Sequence, residues 1–281
     1  MQDRDDRDRF AALTEEDWLE VTTRAACRVA CEYCPQDRFV SAFRSRSSET
    51  ELSLATFSRC LQTVPRDVRI VFAGFTEPWL NPQCTDAALH AAERGHPICV
   101  YTTCAGMTLS DVERLRNVDV ERMVVHLPTT SGVMRLRVDE DYLRVIDEVA
   151  RWCGERASYI HHGHAATLHP EVVAVLSRHG LAAVEWALHS RAGHLERLPA
   201  PRERYGPVRC TQRRERKNVL LPDGSVALCC MDFGLQHVLG NLLQQDYADL
   251  FSGSAYRALV ESPSGTLCHR CEWAEPGARG S

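Results

Sequence analysis

From residue 17 to about residue 192, short runs rich in β-branched and aromatic residues alternate with stretches whose apolar positions recur every three or four residues. The runs at 18–24, 68–75, 98–104, 122–130, 158–165 and 182–190 predict strands; the stretches at 54–64, 84–95, 110–117, 139–153 and 169–180 predict helices. Ser110 is placed to cap the third of these helices, and Gly95 and Gly180 to stop the second and fifth. Regular β–α alternation implies a parallel sheet with crossover helices. Six strands predict an α/β fold of the open, partial (β/α)6 barrel type, with its sites at the C-terminal strand ends.

The pattern changes after a Pro- and Arg-rich connector at 193–206. Residues 217–234 read as a β-hairpin turned at Pro222-Asp223-Gly224, and 247–262 as a short helical stretch. The chain is thus expected to comprise a charged tail (1–16), a barrel (17–192), the connector and a small C-terminal module (207–281).

Composition narrows the function. The 281 residues carry a formal charge of −5, with 44% hydrophobic and 25% charged residues. That balance is ordinary for a globular chain and argues against a binder of nucleic-acid backbones. No apolar run of membrane-spanning length occurs, and the first ten residues are charged where a signal peptide needs an apolar stretch. The expectation is a cytoplasmic protein with no membrane partner. In a reducing compartment its 13 cysteines are expected to be metal ligands or buried thiols rather than disulfides. Cys60, Cys84, Cys99, Cys104 and Cys153 are scattered and read as small buried hydrophobes.

The others cluster. Cys27, Cys31 and Cys34 fall in eight residues directly after the first predicted strand. Three thiolates from one loop can hold three irons of a [4Fe–4S] cluster and leave one iron open, whereas structural zinc favours a closed shell of four ligands. Cys27-x-x-x-Cys31-x-Tyr33-Cys34 resembles the signature of radical S-adenosylmethionine (SAM) enzymes. The resemblance implies that the open iron binds SAM, whose one-electron cleavage yields a radical able to abstract hydrogen from an unactivated C–H bond. It also implies an external one-electron donor such as flavodoxin or ferredoxin. Gly74-Phe75-Thr76-Glu77-Pro78, after the second strand, is similar to the family's turn that binds the SAM ammonium, with Phe75 and Thr76 in place of glycines. On the same resemblance Tyr33 packs beside the adenine, and Gly74, Thr76, Glu77 and Thr102 are SAM contacts.

Cys210, Cys229, Cys268 and Cys271 resemble the ligands of the shortened SPASM module called twitch, which holds one auxiliary [4Fe–4S] cluster. Alone, two separated cysteine pairs could equally clip a structural zinc. Cys230 is left over beside Cys229; it is either packing or a hydrogen-atom donor. Small members with one auxiliary cluster act on sugars and aminocyclitols, so the resemblance implies an epimerase or dehydrogenase acting on a cationic aminoglycoside or related compound. Cys230 tips the expectation toward the epimerase, with Asp232 a candidate for substrate contact or proton removal.

Overall fold

The computed structural model of the chain describes residues 17–162, 167–199, 201–213, 216–261 and 266–277. The tail at 1–16 and the end of the strand expected at 158–165 lie outside the described residues.

Six parallel strands form as the periodicity predicts: β1 (Trp18–Val21), β2 (Arg69–Phe72), β3 (Ile98–Thr102), β4 (Val120–His126), β5 (Ala157–His162) and β6 (Val184–Trp186), paired in that order. The helices are α1 (Gln36–Arg44), α2 (Leu54–Cys60), α3 (Cys84–Glu93), α4 (Leu109–Leu115), α5 (Glu140–Cys153) and α6 (Pro170–Arg178). Side chains such as Phe57, Phe72, Leu115, Val125 and Ile146 pack fully buried between sheet and helices. The five scattered cysteines are all buried, as expected.

Two local expectations are corrected. The cap of α4 is Thr108, not Ser110: Thr108 and Asp111 satisfy each other's backbone N–H in a reciprocal capping box, which a hydroxyl inside the first turn cannot do. Helix α1, directly after the three-cysteine loop, was not expected from the sequence. Its polar face is long, and only Phe39 and Phe43 are buried.

The C-terminal hairpin forms from β8 (Lys217–Leu220) and β9 (Ser225–Ala227), with Gly224 at φ 83° in the turn. It is not set apart from the barrel. Strand β8 pairs parallel with β1, and β10 (Val238–Asn241) extends the edge, giving a sheet of nine strands among the described residues. Beyond it lie α7 (Ser254–Glu261) and a two-stranded ribbon of β7 (Val208–Cys210) and β11 (Ala274–Pro276). The loop after β9 folds back to the rim that carries the three-cysteine loop, where Phe233 packs against Phe75 of the turn after β2.

Candidate functional site

A cavity of about 410 Å³ opens at this rim, lined by residues from both ends of the chain. Cys27, Cys31 and Cys34 are half-buried on its wall, in the loop following β1. Burial pushes all three thiols up, Cys31 to about 12, even though backbone N–H groups of Glu77, Val29 and Ala30 point at the Cys27 sulfur. Three thiolates withdrawn from water need a compensating cation, and metal binding releases their protons. Among the described residues no three His, Cys, Asp or Glu side chains gather as one metal ion requires. A cluster that gives each thiolate its own iron suits this donor set better than a single zinc.

The turn after β2 is built around Gly74 and Glu77. Gly74 has φ 75°, and a Cβ there would lie 2.2 Å from Thr22 Oγ1. Only glycine lets the turn press against the end of β1. Glu77 is fully enclosed: Thr102 Oγ1 donates to its Oε1 at 2.6 Å, and Thr103 donates to Oε2 from N at 2.6 Å and from Oγ1 at 2.8 Å. Burial nonetheless raises its pKa. This is a preorganised carboxylate on the cavity wall that an incoming ammonium would stabilise. Thr102 lines the cavity and also orients Glu77, and Thr103, which the sequence did not single out, does the same. Thr76 lines the cavity with its hydroxyl tied to the Arg24 carbonyl at 3.2 Å. Phe75, standing where a glycine was expected, turns its ring onto Phe39 and Phe233, with ring centroids 4.8 and 4.9 Å away.

Tyr33 lies against His162, centroids 4.3 Å apart, on the same cavity wall. His126 at the end of β4, His162 at the end of β5 and Trp186 at the end of β6 complete that side. Arg191 also lines the cavity and raises the local positive potential at Cys34, His126 and His162. Its backbone and that of Ala192 are both left-handed, at φ 55°. His126 and His162 were missed, since a histidine inside a strand carries no spacing signal.

The hairpin divides two neighbouring thiols. Cys229 joins Cys210, Cys268 and Cys271 around a second, tight apolar cavity walled by Leu228, Met231, Leu267 and Ala274. Burial pushes Cys229 and Cys271 up, Cys271 to about 12. Cys230 faces the main cavity instead. The reading of Asp232 as a substrate contact is corrected: its side chain is wholly buried, and its oxygens accept from the N–H groups of Gln236 at 2.9 Å and His237 at 2.7 Å. It holds the turn after Cys230.

The fold and site define an open parallel α/β barrel with a three-thiol rim and a four-thiol C-terminal module. Residues 210–272 match SPASM, an iron-sulfur cluster-binding domain, and that span contains all four thiols of the module. No curated protein matches the sequence. The chain is similar in structure to BtrN in complex with AdoMet and 2-DOIA, at TM-score 0.61 and 18% identity over 93% of each chain. It is also similar to SuiB of Streptococcus suis bound to the precursor peptide SuiA (TM-score 0.62, 12% identity, 91% of this chain and 69% of that one). A third likeness is to anSMEcpe with bound AdoMet (TM-score 0.57, 11% identity, 91% and 83%). These likenesses place the chain in the partial-barrel fold. Among the described residues no helix is long and apolar enough to cross a membrane.

Proposed function

We propose that the chain is a radical SAM enzyme that inverts a sugar carbon of an aminoglycoside or related compound, of the neomycin C to neomycin B type. The observation that carries this reading is the placement of Cys230 in the main cavity while its neighbour Cys229 faces the second thiol group.

Cys27, Cys31 and Cys34 would hold one [4Fe–4S] cluster, and Cys210, Cys229, Cys268 and Cys271 a second. That first cluster would pass one electron from the external donor to bound SAM, which would supply the 5′-deoxyadenosyl radical that takes a hydrogen atom from a substrate carbon. Glu77 offers its buried carboxylate to the SAM ammonium, Gly74 keeps the turn close, and Tyr33 walls the cavity. The chain's own part in the second half is hydrogen return. The Cys230 S–H bond breaks, a C–H bond forms on the substrate carbon from the other face, and the sulfur is left one electron short. A flavodoxin- or ferredoxin-type donor restores it with one electron, and water supplies the proton. Cys229, the preceding residue in the chain, would hold the second cluster beside that sulfur.

Oxidation of a carbinol is the second reading. The likeness to BtrN, matched over nearly its whole length and solved with AdoMet and 2-DOIA, favours it. Anaerobic turnover of the iron-reconstituted enzyme with SAM, reductant and neomycin C in deuterated water separates the two. Epimerisation gives 5′-deoxyadenosine and a product heavier by one non-exchangeable deuterium, lost in Cys230→Ala. A product lighter by two hydrogens establishes oxidation and makes Cys230 a bystander.

A further inference from the structure

Among the described residues, Cys34 is the one thiol of the first loop with no donor at its sulfur. Backbone N–H groups of Val29, Ala30 and Glu77 point at Cys27, and the Tyr33 hydroxyl donates to Cys31. Cys34 is itself the donor: its S–H points at Gln36 Oε1, with sulfur and oxygen 3.6 Å apart. Gln36 is the first residue of α1 and lines the main cavity. Its Nε2 is buried and makes no hydrogen bond among the described residues. A buried donor without a partner calls for an explanation.

Ligation supplies one. A thiolate bound to iron has no proton to give, so the contact between Cys34 and Gln36 cannot survive cluster binding as it stands. It would set an amide oxygen against an anionic sulfur. Half a turn about the last bond of the side chain exchanges Oε1 and Nε2 with no change of shape, and leaves an N–H where the oxygen stood. The idle donor then meets the ligand sulfur that lacks one.

We propose that Gln36 turns its amide when the first cluster binds, donates from Nε2 to the Cys34 thiolate, and so raises the reduction potential of that cluster. A hydrogen bond to a ligand sulfur stabilises the reduced, more negative form. Gln36 thereby sets how readily the external one-electron donor loads the cluster, and takes no part in hydrogen transfer. The inference rests on the placement of the first cluster at Cys27, Cys31 and Cys34 read above, and not on the choice of substrate.

The test is a redox titration of the iron-reconstituted enzyme, followed by electron paramagnetic resonance in the absence of SAM. The first cluster is identified as the signal that changes when SAM is then added and that disappears in Cys34→Ala. Gln36→Leu, close in volume but without a donor, should shift the balance of that signal about tenfold toward the oxidised form, about 59 mV for one electron. Gln36→Met, unbranched like glutamine and likewise without a donor, should match it. The potential of the second cluster should move in neither variant. An unchanged or raised potential of the first cluster overturns the inference. So does an equal shift in both clusters, which would mark a general disturbance of the fold. Loss of the first cluster's iron from both variants overturns it by making Gln36 a support of the loop. A SAM-sensitive signal that persists in Cys34→Ala overturns the placement of the cluster, and this inference with it.

Discussion

Glu272 holds Ser190: the serine hydroxyl donates to Glu272 Oε1 at 2.5 Å, and the second oxygen accepts from Ala192 N at 3.0 Å. The carboxylate comes from the residue after Cys271, and the loop it grips carries Arg191 to the cavity. The C-terminal module therefore sets the left-handed turn that aims this cation. Glu272→Ala strands two donors in a part-buried place, at a cost of about 1–3 kcal/mol. We expect a lower melting temperature and weaker neomycin C binding, while Glu272→Gln, which keeps an acceptor for Ser190, loses less of both.

Gly74 is the residue on which the rim turn depends most sharply. Gly74→Ala meets two separate penalties, a left-handed φ of 75° and a contact of 2.2 Å with Thr22 Oγ1. The backbone strain alone costs about 1–3 kcal/mol. We expect lost stability and lost SAM affinity. In Thr22→Ala/Gly74→Ala the contact is relieved and the strain is not, so a double-mutant cycle in thermal melts should show partial recovery. Strict additivity would mean that the contact does not limit the turn.

Asp147 ties α5 to α6. It accepts from Arg178 at 2.9 Å, His179 at 3.0 Å and Arg151 at 3.0 Å. The bonds from Arg178 and His179 outweigh the effect of burial and hold its carboxyl below the usual carboxylate range. A depressed carboxyl contributes stability that is present above its unfolded value, about 3.9, and is lost as pH falls through the lower folded value. The melting-temperature gap between wild type and Asp147→Asn should therefore be constant near neutrality and close below about pH 4. A gap that persists unchanged in acid would show that the charge is not what links the helices.

The barrel strands and the cysteine groups were legible because each is a local pattern: period, spacing, or position after a strand. Thr102 shows the limit. Its place at a strand end was readable, but its bond to Glu77 joins residues 25 apart in sequence and needed the fold. The pairing of β8 with β1 joins segments some 200 residues apart, and neither strand's composition names its partner. Asp232 was misread for a related reason. Beside a thiol, a buried turn-holding carboxylate and a catalytic one look alike until their donors are known. His126 and His162 come side by side only through the pairing of β4 with β5.

Phe75 offers a test of how the two ends of the chain cooperate. Its ring lies between Phe39 of α1, which follows the three-cysteine loop, and Phe233, three residues after Cys230. All three rings are buried in one cluster, and Phe39 and Phe75 are parallel enough to stack. This cluster sets the spacing between the loop that would hold the first iron–sulfur cluster and the thiol that would return hydrogen. Phe75→Ala should cost about 3–5 kcal/mol, as large-to-small core changes of this kind do, and Phe75→Leu markedly less. The functional consequence differs from simple loss of fold. In the leucine variant SAM cleavage should continue, because Cys27, Cys31, Cys34 and Glu77 are intact, but hydrogen return should falter as Cys230 shifts. The ratio of 5′-deoxyadenosine formed to product released, measured anaerobically at a temperature where the variant stays folded, should therefore rise. A ratio equal to wild type would mean that the rings stabilise the chain without setting the distance on which turnover depends.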